Sequence, residues 1–468
     1  MFEIKEINKI WQGFENKSYL DHSCKINNVI TDSRIIKENE LFVPLVGDKF
    51  DGNEFIKDAF NRGSRLAIVQ RGKESKVPKG MYYWVVDNTL DAYQELAHIY
   101  RLKLNIPIIA ITGSAGKTTT KELLKSALSP LGKINSTELN FNNEIGVSKT
   151  ILNTRNFHRA LILEMGMRGQ GQIDKLSYIS KPDISIITNI GNAHIGLLGS
   201  LEKITEAKCE IVNYMNPEGI VIIPKEEILL GKTINKNWKG KVLKVSLESS
   251  KIDFKNKLNI HSSKVISKRI SNIIGISLAD NEVSILGKVF KSNLSGKHNE
   301  LNLLLSLAVG FVLNIKYKDN NLIQMEKISG RSCLTNHRGI NILDETYNSS
   351  PESCKACLDL LMTYPGRHFA ILGTMLELGI YSDQLHKDLF SYINKMNLNG
   401  IVFLCDKSQQ SKIAYLSENI KDIKIVDSIN DAAASINQFI KVNDYLLIKG
   451  SRKLKMESII PLINIKKY

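Results

Sequence analysis

The chain has 468 residues, with 63 Lys+Arg against 48 Asp+Glu, a formal net charge of +15. At roughly 100–200 residues per domain this length implies two to four domains, and fractions of 43% hydrophobic and 24% charged residues exclude wholesale disorder. The cationic surplus points to an anionic partner (nucleic acid, a phosphorylated metabolite or an acidic membrane surface) without choosing among them.

Along the chain, short strand-like runs (LFVPLV, RLAIVQ, YYWVVD) first alternate with helical patterns at Asn53–Arg62 and Thr89–Arg101. This predicts a first domain over residues 1–105. A second, over 106–316, opens with the strand IPIIAIT (Ile106–Thr112) and continues through ALILEMG, ISIITNIG and GIVIIP. Those apolar runs have the length and composition of parallel strands buried on both faces. It closes on Leu303–Leu313, an apolar stretch broken only by Ser306 and Gly310. That stretch is too short for a membrane span and reads as one buried helix. The polar segment Asn314–Asn321 then reads as a linker. A third domain, 317–468, alternates again through INILDET, HFAILGT, GIVFLCD, DIKIVD and DYLLIKG. The βα rhythm predicts an α/β protein with doubly wound parallel sheets and ligands at the carboxyl ends of strands.

The N-terminal residues carry charges throughout and no apolar run of the secretory kind, so no leader is expected. The six cysteines are scattered. Only Cys354 and Cys357 form a C-x-x-C, and they fall inside a helical pattern, where a half-buried face is the better reading than a redox pair. A reducing cytoplasm fits this usage.

The strongest local signal follows Ile106–Thr112: Gly113, Ser114, Ala115, Gly116, Lys117, Thr118 and Thr119, then a helix. A glycine-bearing loop between strand and helix lets backbone N–H groups curl around phosphate oxygens, and the helix N-terminus adds partial positive charge. Lys117 would neutralise β/γ-phosphates and the Thr118 hydroxyl can ligate Mg²⁺. The usual spacing places a glycine five positions before Gly116, where this chain has Ile111, so the loop is a shortened form. Glu164 and His194 follow two further strand ends of the same predicted sheet. Taken alone, Glu164 is as readily a solvated strand end, His194 a structural histidine and Lys208 an ordinary helix lysine.

The wider pattern resembles the Mur ligases, ATP-dependent amide-bond-forming enzymes of peptidoglycan precursor assembly. The resemblance runs through T-D-S-R (Thr31–Arg34), the phosphate loop, N-F-N-N-E-I-G (Asn140–Gly146) and EMGMRGQGQI (Glu164–Ile173). It continues with TNIGNAHIGLLGS, EAKCEI (Glu206–Ile211) and G-K-H-N-E-L-N (Gly296–Asn302). The last region supplies Gly330-Arg331, DETYNSSPES (Asp344–Ser353), LGTMLELG (Leu372–Gly379) and KGSRKLKME (Lys449–Glu457). It implies three domains: a UDP-substrate-binding one, a central phosphate-loop ATPase and a Rossmann-like C-terminal one.

By the same resemblance, the activity implied is ATP-dependent addition of D-alanyl-D-alanine to UDP-N-acetylmuramoyl-tripeptide through an acyl phosphate, by a cytoplasmic monomer with no nucleic-acid partner. Lys117 and Thr118 are implied to hold ATP phosphates and Mg²⁺, and Glu164 and His194 to bind metal. Lys208 matches a lysine carried as a carbamate. Asn299 and Asn302 match adenine contacts, Arg331 a γ-phosphate contact, and Asp344 and Asn348 nucleotide contacts. Ser33 and Arg34 match uridine diphosphate contacts, and Asn142, Asn143 and Asn189 fall on the muramoyl-peptide side. Two departures stand out: Ser350 where relatives usually carry Asn in Y-N-A-N-P, and Thr374 where many carry Asp. The preceding ligase of the pathway is the nearest alternative, and a nucleic-acid-dependent ATPase or a nucleotide-gated binding module are readings of other classes.

Overall fold

The computed structural model describes residues 1–15, 25–47, 49–249, 269–278, 281–318, 321–326, 328–420 and 423–464. Asp48, residues 319–320 of the expected linker and Asp422 of DIKIVD lie outside them. The chain forms three α/β units, each around its own sheet.

The first sheet has the order 13–15, 82–86, 66–70, 40–42, 28–30, parallel except at 13–15. Helix Thr89–Lys103 leaves it toward the second unit, capped by Asn88, whose side chain accepts from Leu90 N and Asp91 N. Its inward residues Tyr93, Leu96, Ala97 and Tyr100 are buried.

The second sheet has ten strands in the order 134–136, 160–164, 108–112, 184–187, 220–224, 241–249, 270–277, 282–285, 288–292, 321–323. The first seven are mutually parallel. Strand Ile108–Thr112 is buried along its whole length, as an all-apolar run covered on both faces must be. From it the chain winds to one side for 134–136 and 160–164, then to the other for 184–187 and 220–224. That reversal opens a crevice at the carboxyl ends of neighbouring strands, the usual ligand position in such sheets. All of Leu303–Leu313 but the C-capping Leu313 falls in helix Lys297–Val312, packed against helix Lys117–Ala127; Ser306 Oγ donates to Thr120 O at 3.1 Å. The expected break after residue 316 falls short. Strand Asn321–Ile323, which starts at the last residue of the segment read as linker, pairs with Lys288–Ser292 and so belongs to the second sheet, its short apolar run hidden among polar neighbours.

The third sheet has the order 333–337, 340–345, 445–449, 368–373, 400–404, 423–426, parallel except at its first strand. Cys354 and Cys357 lie in helix Pro351–Leu361 and are buried rather than half-exposed. Burial pushes both thiols up from their ordinary value, the opposite of a redox-active cysteine. Among the described residues no helix is long and apolar enough to cross a membrane.

Candidate active site

Three adjacent parallel strands end at one place, with Ile111 opposite Glu164 and Thr112 opposite Ile187. The loop after the central strand turns at Gly113 and Gly116, both with positive φ (152° and 78°). Gly116 also faces Asn302, whose Oδ1 would lie 2.7 Å from any added Cβ, so glycine is required twice over there. The loop is held from its neighbour. Asn189 Oδ1 accepts from Ala115 N (2.9 Å), Asn189 Nδ2 donates to Ala115 O (3.2 Å), and Thr188 Oγ1 donates to the same carbonyl (2.6 Å). Ser114 Oγ donates to Gly191 O and accepts from Gly191 N. Asn189 therefore braces the phosphate loop, a role its sequence position did not reveal.

Lys117 opens helix Lys117–Ala127 and donates to Gly113 O at 2.6 Å. Burial holds its ammonium below the ordinary lysine range; the Glu164 carboxylate opposes this and the Arg331 guanidinium adds to it. Arg331, from the third unit, thus lies within electrostatic reach of the phosphate loop. It stacks on the Tyr347 ring at 3.8 Å, which fixes its plane. Thr118 Oγ1 donates to Glu164 Oε2 (2.8 Å), and Asn142 Nδ2 donates to Glu164 Oε1 (2.9 Å). Both carboxylate oxygens are oriented, and Glu164 N donates to Thr137 Oγ1 (3.0 Å). Lys121, wholly buried beneath, donates to Thr137 O (2.6 Å).

Lys208, in helix Leu201–Cys209, is 2% exposed. Among the described residues its amine has no hydrogen-bond or ion-pair partner. Burial, then the nearby positive charge of Lys117, drive it well below the ordinary lysine range. His194 sits at φ 67° and bonds through Nδ1 to Glu377 Oε2 of the third unit at 2.5 Å. Burial pushes its imidazole down and Glu377 pulls it back up, with Lys117 and Lys208 again lowering it. Thr118 and Glu164 beside two strand ends, His194 after a third and Lys208 on helix Leu201–Cys209 therefore lie near Lys117. Among the described residues no group of three or more His, Cys, Asp or Glu forms a closed metal cage. An open set of hydroxyl and carboxylate oxygens suits Mg²⁺, which keeps waters and substrate phosphates in its shell.

Other expected residues divide. Asn302 Oδ1 accepts from Thr120 Oγ1 (3.3 Å) and Asn299 Nδ2 donates to Ser295 O (2.8 Å) and Ser332 Oγ (3.3 Å). Both are buried behind the phosphate loop, with Asn299 at the junction to the third unit. Asp344 is occupied in folding that junction: its carboxylate accepts from Gly330 N, Thr346 N and Thr346 Oγ1. Asn348 is anchored through its carbonyl by Lys449 Nζ at 2.9 Å. Asn143 caps helix Glu144–Leu152, accepting from Gly146 N at 3.0 Å, and is otherwise exposed. Ser350 caps helix Pro351–Leu361 in a reciprocal pair with Ser353. Asn and Ser cap about equally well, so that departure keeps the helix start. Thr374 is buried and contacts Leu404 O and Gln409 Oε1.

In the first unit, Thr31, Asp32, Ser33, Arg34, Phe42, Phe50, Phe55 and Arg62 line an open cleft of about 790 Å³. Arg34 donates to Asp32 through Nε and Nη2 (2.9 and 2.7 Å), and hydrogen bonds from Arg34 hold the Asp32 carboxyl down at about 2.

The second and third units meet through groups that carried no assignment in the sequence. Glu352 Oε1 accepts from Asn192 N (2.9 Å) and Asn192 Nδ2 (2.6 Å). Gly196 N donates to Glu377 O (3.0 Å), and Tyr381 OH donates to Gly199 O. Gly196 and Gly379 abut so closely that a Cβ on Gly379 would lie 2.7 Å from Gly196 Cα. Glu377 falls in the quoted LGTMLELG run, its one available signal.

Residues 111–310 match the Mur ligase middle domain and 330–452 the Mur ligase glutamate ligase domain. A UDP-N-acetylmuramoyl-tripeptide–D-alanyl-D-alanine ligase from Synechocystis sp. is 35% identical over 445 residues, 94% of this chain and 92% of its own. The chain belongs to the Mur ligase family. Among solved structures, MurF from Acinetobacter baumannii superposes with a TM-score of 0.82 at 26% identity, covering 98% of each chain. MurF from Thermotoga maritima, solved with ADP, gives 0.77 at 24% identity over 93% of this chain and 97% of its own. The three-domain α/β Mur ligase fold is common to them.

Proposed function

We infer that this Mur ligase joins D-alanyl-D-alanine to UDP-N-acetylmuramoyl-tripeptide at the expense of ATP, giving the UDP-muramoyl-pentapeptide of peptidoglycan synthesis. The observation that carries this reading is likeness along nearly the whole chain to ligases of that activity. The cluster of Lys117, Thr118, Glu164, His194, Lys208 and Arg331 around one phosphate loop supplies matching chemistry.

Amide formation from a carboxylate at neutral pH is uphill, so the carboxylate must first be activated. The tripeptide's terminal carboxylate attacks the γ-phosphorus of ATP; the bond to the bridging oxygen breaks and ADP leaves, forming an acyl phosphate. The amine of D-Ala-D-Ala then attacks the acyl carbon, and the tetrahedral intermediate collapses with loss of phosphate and a proton. The first step brings an anion against a polyanion. Lys117 and Arg331 offset that repulsion from opposite domains, and backbone N–H groups of Gly113–Lys117 receive phosphate oxygens. Mg²⁺ held by Thr118 and Glu164, with His194 toward a second ion, would supply Lewis-acid stabilisation of phosphoryl charge. The contacts of Glu352, Glu377 and Tyr381 across the domains close the crevice, shielding the acyl phosphate from water.

Lys208 fits carbamylation. Burial drives its pKa well below the ordinary lysine range, which favours the neutral amine, the form that adds CO₂ with N–C bond formation and loss of a proton. The resulting anion would relieve the juxtaposition of buried Lys208 with the Lys117 charge and add oxygen donors. The cleft at Ser33 and Arg34 suits a uridine diphosphate, with phenyl rings for the base and Arg34 or Arg62 for phosphate. Both nucleotide substrates are cytoplasmic metabolites, which supports that location.

The deciding experiment is ADP release by purified protein with UDP-muramoyl-tripeptide and D-Ala-D-Ala, with the product followed by mass. ADP release should require both co-substrates and yield the pentapeptide mass. Turnover with the UDP-dipeptide and a diamino acid instead would overturn the reading.

A further inference from the structure

Glu377 is the point where the third domain touches the strand-end loops of the second. Its carboxylate divides between two of them. Oε2 meets His194 Nδ1, on the loop after strand Ile184–Ile187, and Oε1 lies 3.8 Å from Arg168 Nε, on the loop after strand Ala160–Glu164. Its carbonyl accepts from Gly196 N at 3.0 Å. Both His194 (φ 67°) and Glu377 (φ 63°) occupy the left-handed region. For residues with a Cβ that conformation is strained and persists where the surroundings over-determine it. Two unfavourable backbones therefore face each other across a domain boundary, joined by one hydrogen bond.

The chemistry of that bond is specific. A neutral imidazole carries one N–H and one lone pair, and the partner of one nitrogen decides the role of the other. With Nδ1–H donating to a carboxylate, the lone pair falls on Nε2, which among the described residues has no hydrogen-bond partner. Metal-binding histidines are oriented by a carboxylate on the far nitrogen in this way. Here the carboxylate belongs to a different domain from its histidine.

We propose that Glu377 is a positioning residue that, when the third domain closes, takes the Nδ1 proton of His194 as a hydrogen bond and so aims the Nε2 lone pair at the phosphate–metal crevice. His194 is then correctly set only in the closed enzyme, and closure itself completes the site. The proposal rests on the placement of His194 in that site.

The test is ¹⁵N NMR of histidine-labelled enzyme bound to a non-hydrolysable ATP analogue with Mg²⁺, the His194 signals being assigned with His194→Gln. Wild type should show Nδ1 protonated and Nε2 unprotonated. Glu377→Ala should lose that single tautomer, and Glu377→Gln, which keeps an acceptor, should retain most of it. In Mn²⁺ titrations followed by EPR, Glu377→Ala should weaken the weaker site by about 10–100-fold, with kcat reduced and KM for the UDP-tripeptide within twofold. An unchanged tautomer and Mn²⁺ affinity in Glu377→Ala would overturn the proposal. A fully active His194→Gln would instead remove His194 from the site, a separate failure. Because Glu377 is 37% exposed, loss of folding is not an obstacle to these variants.

Discussion

The central domain meets its two neighbours in opposite ways. Toward the first domain, helix Thr89–Lys103 is embedded: Tyr93, Leu96, Ala97 and Tyr100 are buried, and Tyr100 OH donates to Thr154 O at 2.8 Å. Arg101 donates to Ser180 O (2.7 Å) and Lys181 O (2.8 Å) and pairs with Asp183 at 3.1 Å, while Asp183 also receives Ile108 N. His98 stacks on Tyr178 with ring centres 4.3 Å apart. Toward the third domain more of the contacts are hydrogen bonds of exposed or half-exposed groups (Glu377 with His194, Glu352 with Asn192, Tyr381 with Gly199), beside the buried Asn299–Ser332 contact and the abutting Gly196 and Gly379. Apolar burial together with buried ionic groups ties domains permanently, since water cannot replace what is lost. Exposed polar contacts exchange with water at small net cost. On this reasoning the first junction is expected to behave as a weld and the second as a latch, with Arg331 on the latch side.

Variants can test that contrast. The largest effect belongs to Arg331→Ala, which should lower kcat by about 10³-fold without shifting the unfolding midpoint, read by ADP release beside a denaturant curve. Arg101→Ala should do the reverse. Stripping the donors from Ser180, Lys181 and Asp183 should cost about 3 kcal/mol of stability, seen in urea unfolding, with kcat of the folded fraction near normal. If Arg101→Ala left stability untouched, the first junction would be no weld. Glu352→Gln removes one charge-assisted contact from the latch and should raise KM for D-Ala-D-Ala roughly fivefold, the equivalent of about 1 kcal/mol. The smallest effect lies behind the latch. His386 is buried, accepts from Met375 N at 3.1 Å through Nε2, and donates to Ser382 O at 2.7 Å through Nδ1. Burial lowers its pKa from 6.5, so the unfolded chain binds the proton more readily. Its contribution to stability is full above pH 6.5 and is lost as pH falls below that value. His386→Gln should flatten the acid side of a Tm-against-pH profile.

Much of the central site could be read in the sequence because it is local. A strand, two glycines, Lys117 and a helix occupy consecutive positions, and Glu164 ends a plainly apolar strand. Lys208 needed the family resemblance, since a lysine in an amphipathic helix has no local mark of burial. What escaped was long-range. Asn189 bracing Ala115, Asn302 seated behind Gly116 and Asp344 folding the domain junction all depend on which loops the sheet order brings together. Glu352 and Glu377 act on residues about 160 and 183 positions away, a pairing no periodicity encodes. The edge strand Asn321–Ile323 was missed for a different reason: three residues are too few to show alternation.

The glycine pair at the latch carries one more consequence. A methyl group at position 196 would meet Leu378 C at 2.7 Å, and one at position 379 would meet Gly196 Cα at the same distance. Neither neighbour is a side chain that can swing aside. The smallest possible substitution at Gly196 would act as a doorstop, propping the third domain ajar while leaving the phosphate loop and the first junction intact. Such a chain would still load its nucleotide and its UDP-linked peptide, yet leave them waiting in an open vestibule.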